Sequence, residues 1–329
     1  MSKTLKILSR PKGNAEEYGR WSVNPYIGCS HGCLYCYLKK GPSGSYLGQN
    51  KPVLKKGVVN EEHAFHLAMA EIIENRDEII RDGGLFMTFT SDPFQRETRT
   101  LFLRIAVKST NHGIPVTILT KCGADCVGRK SMDGYSYSLD CKLEYDLEGL
   151  SYRQIAVGWT LTGHDELEPN ASPNSERINA MKKFAEDIRG EIVKLANTTN
   201  EFLGCKIVAD PHIWASIEPV IDFPSSLDMI YQALNAGCQH FKIGLLTNNT
   251  RVVRKDFQIG EHQFKAYDVR DLLHFIEDVM RLTDGKATVY WKQSVRDLLG
   301  TVYTTAAVDE LLNFPHFVGK DWSMFKKED

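Results

Sequence analysis

Three cysteines lie close together near the start of the chain, at positions 29, 33 and 36. Their C-x3-C-x2-C spacing puts three thiols in one short loop, and no fourth cysteine follows nearby. Thiolates are the ligands of iron–sulfur clusters, and three of them would leave one iron of a four-iron cluster open to a non-protein ligand. A zinc site completed by His31 is the alternative. Because zinc sites usually pair two separated ligand elements, the spacing favours the cluster.

The residues around the cysteines extend this pattern. Positions 24–37 read NPYIGCSHGCLYCY, which resembles the signature of radical S-adenosylmethionine (SAM) enzymes, and most narrowly their spore photoproduct lyase-like branch. The resemblance implies that Cys29, Cys33 and Cys36 hold a [4Fe-4S] cluster whose open iron binds SAM. It also implies reductive cleavage of SAM to methionine and a 5′-deoxyadenosyl radical, which abstracts hydrogen from a substrate. In such enzymes the protein orients the cofactors and excludes water and oxygen.

The composition is that of an ordinary soluble protein. Of 329 residues, 42% are hydrophobic and 25% are charged. No apolar run approaches the ~20 residues of a membrane helix, and the first residues lack the apolar core of a signal peptide. Eight cysteines in a chain of this length do not indicate a disulfide scaffold. We therefore expect a cytoplasmic protein in a reducing compartment, with no membrane partner.

Charge is unevenly distributed along the chain. The formal net charge of −2 indicates no general affinity for nucleic acid. Residues 1–60, however, contain ten basic residues against only two acidic ones, Glu16 and Glu17. The basic residues are at positions 3, 6, 10, 12, 20, 39, 40, 51, 55 and 56. This segment is either a solvated basic arm or a rim that faces phosphate groups beside the cysteines.

Apolar segments alternate with segments of helical periodicity, which predicts βαβ units and a parallel sheet. Strands are predicted at 21–27, 85–90, 115–120, 154–161, 205–209 or 212–217, 239–245 and 286–291. Helices are predicted at 61–81, 97–112, 225–236 and 268–283, from 172 onwards, and near 293–299 and 306–313. We predict an α/β fold, a partial (open) parallel β/α barrel of the radical SAM type. It would have about six βα units and C-terminal additions; a doubly wound sheet is the alternative.

The expected organisation is a polar N-terminal lead-in (1–20), the barrel (21–300) and a C-terminal helical tail (301–329). An insertion at about 121–152 interrupts the barrel and contains Cys122, Cys126 and Cys141. The C-x3-C-x14-C spacing of these three cysteines lacks an obvious fourth ligand. Packing is therefore the favoured interpretation of this group, and a second metal is the alternative.

Polar residues that follow the strands are the candidate site residues, since a parallel barrel binds its ligands at the carboxyl ends of its strands. The segment from Thr90 to Asp92 follows the second strand, Lys121 follows the third, and Thr160 ends the fourth. The family resemblance implies that Ser91, Asp92, Lys121 and Thr160 bind the cofactor SAM. The ammonium group of Lys121 would then pair with the SAM carboxylate. Capping of a turn is the alternative role for Ser91.

Catalytic roles are predicted for four residues. Tyr35 and Tyr37 flank the last cluster cysteine and match two tyrosines near SAM in the resembled family. Glu218 and Lys242 follow or end the next two strands, where they either face the substrate or pair with each other. The histidines at positions 31, 212 and 240 are expected to be hydrogen-bonded structural residues.

Three functions are compatible with these residues. The first is a radical SAM enzyme, lyase-like or performing another radical transformation, with nucleic acid or nucleotides among its candidate substrates. The second is such an enzyme with an auxiliary metal site, acting on a peptide or small molecule. The third is a non-catalytic iron–sulfur sensor or electron-transfer protein. Either enzyme would need a reductant such as flavodoxin or ferredoxin.

One position departs from the resembled lyase. There, a cysteine immediately before the Thr-Ser-Asp segment returns a hydrogen atom to the product radical, whereas this chain has Phe89. An aromatic C–H bond is too strong for that role. We therefore expect that this protein does not repair the spore photoproduct.

Overall fold

A computed structural model of the chain describes residues 5–40, 44–123, 131–132, 135–136, 155–186, 212–248, 251–252, 255–313 and 317–318. Its largest element is a nine-stranded sheet. The strands are β1 (Leu8–Ser9), β2 (Ser22–Val23), β3 (Leu85–Met87), β4 (Val116–Thr120), β5 (Ile155–Thr160), β6 (His212–Val220), β7 (His240–Leu245), β8 (Thr288–Trp291) and β9 (Phe317–Val318).

The order of the strands across the sheet follows their order along the chain, from β1 to β9. β1 pairs antiparallel with β2, and every later neighbouring pair is parallel. A doubly wound sheet reverses its strand order at a switch point, and this order never reverses. The predicted partial, open parallel β/α barrel is therefore confirmed, and the doubly wound alternative is wrong.

Helices connect the parallel strands. They are α1 (Glu61–Glu74), α2 (Arg76–Arg81), α3 (Arg99–Asn111), α4 (described over 174–186), α5 (Phe223–Asn235), α6 (Val269–Thr283), α7 (Gln293–Leu299) and α8 (Thr305–Leu311). Side-chain caps fix several of their starts: Asn60 accepts from the N–H of His63, and Asp222 accepts from the N–H of Ser225. In the part of the chain that is described, no helix is both long and apolar enough to cross a membrane.

The structure refines several predicted boundaries. Of the two strands considered near 205–217, the later one is confirmed and extends to Val220, whereas 205–209 lies outside the described residues. The helix predicted at 61–81 is divided at Asn75 into α1 and α2. Between 27 and 61, where no strand is predicted, Val53–Leu54 forms one that pairs with Tyr26–Ile27. Two hairpins lie between β7 and α6, which the sequence had not indicated: Thr247–Asn248 with Arg251–Val252, and Phe257–Ile259 with His262–Phe264.

Both predicted extensions of the barrel contribute to the sheet. The lead-in supplies β1, where Ile7 and Leu8 are buried, and the tail supplies α8 and β9. The predicted insertion lies mostly outside the described residues, Cys126 and Cys141 included. The domain boundaries themselves stay predictions.

The two faces of the sheet carry different residues, because successive side chains of a strand alternate. One face packs against the helices: Leu85 and Met87 of β3 share a core with Ile72 of α1 and Phe102 of α3. We call the opposite face the inner face. Its described members in β3 and β5 to β8 are Phe86, Ala156, Gly158, Trp214, Ser216, Glu218, Lys242, Gly244 and Tyr290.

Candidate cluster and cofactor site

The loop that follows Tyr26–Ile27 presents all three cysteines of the motif. It turns at Gly28 (φ 86°) and Gly32 (φ 71°), left-handed conformations that glycine adopts without steric cost. A Cβ atom at Gly28 would also lie within 3.0 Å of a backbone carbonyl oxygen. The N–H of Cys36 donates to the carbonyl of Cys33 over 3.3 Å. These turns explain why a glycine precedes both Cys29 and Cys33.

The environment of the thiols suits metal ligation. Burial and the nearby charge of Asp92 raise the pKa of Cys29 to about 12. Burial also raises the pKa of Cys33, against the opposing effect of Lys121. These thiols need a metal to become thiolates at neutral pH. The side-chain N–H of Gln95 lies 3.0 Å from Cys29 Sγ, in position to stabilise a thiolate. The donor set therefore fits an iron–sulfur cluster.

A buried network of charges adjoins the cluster loop. Lys121 Nζ lies 2.9 Å from Glu168 Oε1 and 2.9 Å from the hydroxyl of Tyr35, which also donates to Glu168. Arg177 binds the other oxygen of Glu168 at 2.6 Å. Burial would raise the pKa of Glu168, but the charges of Lys121 and Arg177 lower it to about 2. Two cations thus share one carboxylate, and the trio keeps a surplus positive charge beside the cluster loop.

The structure therefore gives Lys121 a partner that the sequence had not indicated. The expected partner was the carboxylate of SAM, whereas the protein itself supplies Glu168. Glu168 begins an EPNASP segment at 168–173, and nothing in that segment indicates a cationic partner. Glu168 also binds Arg177, which is buried. Arg177 lies far from Lys121 in the sequence, so no local pattern indicates that the three residues meet.

Asp92 lies at the centre of a second set of hydrogen bonds. Its Oδ1 accepts from Thr120 Oγ1 (2.8 Å) and from the N–H of Phe94 (2.9 Å), and its Oδ2 accepts from the N–H of Lys121 (2.8 Å). His31 Nε2 is 3.1 Å from the same Oδ2. Burial would raise the pKa of Asp92, but His31 and the two N–H donors hold it below its ordinary value. The described contacts of Asp92 thus position Lys121 and the cluster loop.

Ser91 offers the polar atom that best fits a ligand. Within the described residues its Oγ is buried and has no hydrogen-bond partner, which is rare in folded proteins. The turn before it is strained, because Thr88 is β-branched and has φ 61°. Asn24 holds this turn, accepting from Thr88 Oγ1 at 3.1 Å and from the N–H of Phe89 at 2.7 Å. A strained, fixed turn that presents an unsatisfied hydroxyl is typical of binding sites.

Thr160 and Tyr37 contact the edges of these networks. Thr160, at the end of β5, is 7% exposed, and its carbonyl accepts from Arg177 over 2.9 Å. Tyr37 is 64% exposed, and its hydroxyl donates to the carbonyl of Phe89. The ring of Phe89 stacks on that of Phe86, with the centroids 4.4 Å apart. Tyr37 therefore connects the cluster loop to the turn that carries Ser91.

The inner face carries a further charged group. Lys292, directly after β8, binds both carboxylate oxygens of Glu218 at 2.7 Å and lies 3.5 Å from Glu17. Tyr18 donates its hydroxyl to Glu218 and lies 2.9 Å from Ser216 Oγ. The sequence analysis missed Lys292, although it follows a predicted strand as the other candidates do. Glu17 and Tyr18 come from the lead-in, where no pattern pointed to them.

Lys242 is fully buried beside this group. Its Nζ is 4.6 Å from the ring centroid of Tyr18 and 5.3 Å from that of Tyr290. Burial, and then the charge of Lys292, lowers the pKa of Lys242 well below its ordinary value. Glu218 and Lys242, predicted either to face the substrate or to pair with each other, thus share the inner face, and the cation that binds Glu218 is Lys292. His240, expected to be a structural residue, is hydrogen-bonded at 2.6 Å to Thr288 Oγ1.

No family model and no curated protein matches this chain. Among solved structures, SuiB of Streptococcus suis bound to S-adenosylmethionine is similar, with a TM-score of 0.46 at 13% identity over 82% of this chain and 49% of SuiB. SuiB bound to its precursor peptide SuiA gives a TM-score of 0.45 at 13% identity over 82% and 47%. A DHODH from Eimeria tenella in complex with ferulenol gives 0.28 at 12% identity over 66% and 63%. The chain spans about half the length of the SuiB structures that it matches.

Proposed function

We propose that this chain is a radical SAM enzyme. The observation that carries the proposal is the loop with Cys29, Cys33 and Cys36, a three-thiol donor set in a barrel whose strands end beside it. When bound, the [4Fe-4S] cluster and SAM would supply reductive cleavage and a carbon-centred radical for hydrogen abstraction. The protein's own residues hold and orient these groups.

Each neighbouring residue has a role in this proposal. Gln95 donates to Cys29 Sγ and stabilises its thiolate form. The Lys121–Glu168–Arg177 trio has a surplus positive charge, which suits the carboxylate of an amino-acid ligand. Ser91 offers a hydroxyl with an unsatisfied hydrogen bond. Tyr35 fixes the position of Lys121 relative to the cluster loop.

The inner face supports an enzyme over a sensor or an electron-transfer protein. Glu218 lies near the carboxyl end of β6 and Lys292 directly follows β8, at the edge where parallel barrels bind substrates, and Lys242 is buried beside them within β7. A protein that only carries electrons needs no such group. The proposed substrate class includes nucleic acid and nucleotides, from the spore photoproduct lyase-like resemblance. The proposed location is the cytoplasm, with flavodoxin or ferredoxin as the reductant.

Anaerobic reconstitution tests the proposal. We expect about four irons per chain, as the cluster type implies, and production of 5′-deoxyadenosine from SAM after reduction. Replacing Cys29, Cys33 or Cys36 by Ala should abolish both. Cys238→Ala is the matched control, because Cys238 is buried between α5 and β7, away from the loop. A variant lacking all three loop cysteines that still cleaved SAM would refute the proposal.

A further inference from the structure

A second group of metal-ligand side chains lies behind the cluster loop. His31, Asp92 and Cys122 come from three different segments, and one ligand atom from each lies within 4.8 Å of the other two. We propose that these three residues bind a divalent metal ion, with zinc as the expected ion. This proposal is independent of the function proposed above, since it uses none of the three cysteines of the loop.

The spacing of the three side chains agrees with tetrahedral zinc. Zinc bonds of about 2.0–2.1 Å to nitrogen, 2.0–2.2 Å to oxygen and 2.3 Å to sulfur put tetrahedral ligand atoms roughly 3.3–3.6 Å apart. His31 Nε2 is 3.1 Å from Asp92 Oδ2 and 3.9 Å from Cys122 Sγ. Cys122 Sγ is 3.8 Å from Asp92 Oδ1. His31 faces Asp92 Oδ2 whereas Cys122 faces Oδ1, so an ion held by one carboxylate oxygen would draw the other ligand towards it, with one ligand atom of each residue already within 4.8 Å of the other two.

The Nε2 atom of His31 faces the other two proposed ligands. His31 Nδ1 faces the carbonyl oxygen of Asn170 at 3.5 Å, and Nε2 faces the carboxylate of Asp92. With an ion at Nε2, the ring would donate from Nδ1 to the carbonyl of Asn170. Metal-bound histidines commonly donate their other N–H to a backbone carbonyl in this way.

The other two ligands are also fixed in place. Asp92 accepts hydrogen bonds from Phe94, Thr120 and Lys121, which orient its carboxylate. The N–H of Cys122 donates to Thr120 Oγ1 at 3.0 Å, and its carbonyl accepts from the indole of Trp159 at 3.1 Å. Nitrogen, oxygen and thiolate together are a donor set typical of zinc. Three protein ligands leave a fourth position for water.

Such an ion would hold three parts of the barrel together. It would join the cluster loop, through His31, to the segments that follow β3 and β4, through Asp92 and Cys122. The alternative is a charged His31–Asp92 pair with Cys122 packed beside it and no ion. The two alternatives predict different reactivity for the Cys122 thiol. If the ion binds, added zinc protects this thiol from alkylation, and if it does not bind, zinc has no effect.

The test uses the full-length chain and zinc itself. Metal-free protein is alkylated with iodoacetamide, with and without two equivalents of Zn²⁺, enough to occupy the loop cysteines as well as this site, and labelling is read at each cysteine by mass spectrometry. We expect zinc to abolish labelling of Cys122 in wild-type protein and in a Cys126→Ala/Cys141→Ala variant. Unchanged labelling of Cys122, or protection that needs Cys126 and Cys141, would overturn the site.

A second measurement identifies the ligands. In a Cys29→Ala/Cys33→Ala/Cys36→Ala variant, one equivalent of Co²⁺ should give a sulfur-to-cobalt charge-transfer band. Adding Cys122→Ser should remove the band, and Asp92→Asn should weaken binding by more than the roughly 10- to 100-fold typical of lost supporting contacts. Adding Cys238→Ala should leave the band unchanged. A band that survives Cys122→Ser would contradict the proposal. If the triple variant does not fold, the labelling experiment still decides whether the site exists.

Discussion

At the scale of single residues, two buried carboxylates and their cationic partners hold the site together. Glu168 joins Lys121 to Arg177, and Asp92 joins His31 to the backbone of Lys121. Both carboxylates are buried, so each is held ionised by its partners and not by water. Replacing one residue of such a group would therefore disturb its partner residues as much as it disturbs the binding of a ligand.

The first residue-scale prediction concerns Lys121. Replacing it by Met removes the surplus positive charge beside the cluster loop, and a charge-assisted bond is worth on the order of 1.5–3 kcal/mol. We expect Lys121→Met to weaken SAM binding about tenfold or more with iron content unchanged. Equilibrium dialysis of the reconstituted protein measures this, with the exposed Lys182→Met as control. Equal SAM affinity in the two variants would refute the role.

The second residue-scale prediction concerns acid stability. The folded pKa of Glu168, about 2, lies below its ordinary value of 4.5. Its contribution to stability is therefore fully present above about pH 4.5 and is lost as the pH falls towards 2; it is on the order of 3 kcal/mol. Urea unfolding of the metal-free chain between pH 6 and pH 3 should show this loss.

Glu168→Gln should lack that part of the pH dependence, because glutamine does not titrate, and should be less stable at pH 6. The exposed Glu186→Gln is the control and should behave like wild type. A Glu168→Gln variant with the wild-type slope between pH 6 and pH 3 would show that another group is responsible.

At the scale of the elements, the inner face depends on close packing between β5 and β6. Gly158 lies under the indole of Trp214, and a Cβ atom there would be closer than 3.0 Å to the ring. Trp214 also donates to the carbonyl of Ile118 over 3.1 Å, which joins β6 to β4. The glycine in β5 is thus required by the tryptophan in β6.

This packing gives a prediction with its own control. Gly158→Ala should destabilise the fold by about 1–3 kcal/mol, the usual cost of overpacking a core. Urea unfolding measures this cost. Combining Gly158→Ala with Trp214→Phe should cost less than the two single changes together, because a smaller ring makes room for the methyl group. Strict additivity would mean that the two residues do not compete for space.

The strands and helices were mostly predictable from the sequence, whereas the contacts between them were not. The apolar runs at 115–120, 154–161 and 239–245 predict β4, β5 and β7 closely, because buried strands need continuous apolar residues. Lys292 could have been found by the rule that located Lys121, since both follow a strand. The pairing of Lys292 with Glu218 could not, because no local pattern records which distant side chains meet.

At the scale of the whole molecule, the same barrel architecture occurs in enzymes that catalyse very different reactions. Individual residues, and not the fold, therefore decide which reaction this chain supports. Phe89 is one such position: it stacks on Phe86, and its ring lies 6.2 Å from that of Tyr18. We expect no repair of the spore photoproduct, because this ring has no labile hydrogen to return. Incubating the reduced protein with SAM and a spore-photoproduct dinucleotide measures this. Conversion to two thymines at ~1 s⁻¹ or faster, an ordinary enzymatic rate, would show the expectation wrong.

The lead-in and the last parallel strands meet across the inner face. Glu17 accepts from the hydroxyl of Tyr290 at 3.2 Å and from the N–H of Gln293 at 2.8 Å, contacts that span 273 and 276 residues. Contacts between such distant residues form late, because the chain between them must first be ordered. During synthesis, residue 293 is made 276 residues after residue 17. The inner face therefore cannot close during synthesis before Gln293 has left the ribosome, and until then Glu218 lacks its partner Lys292.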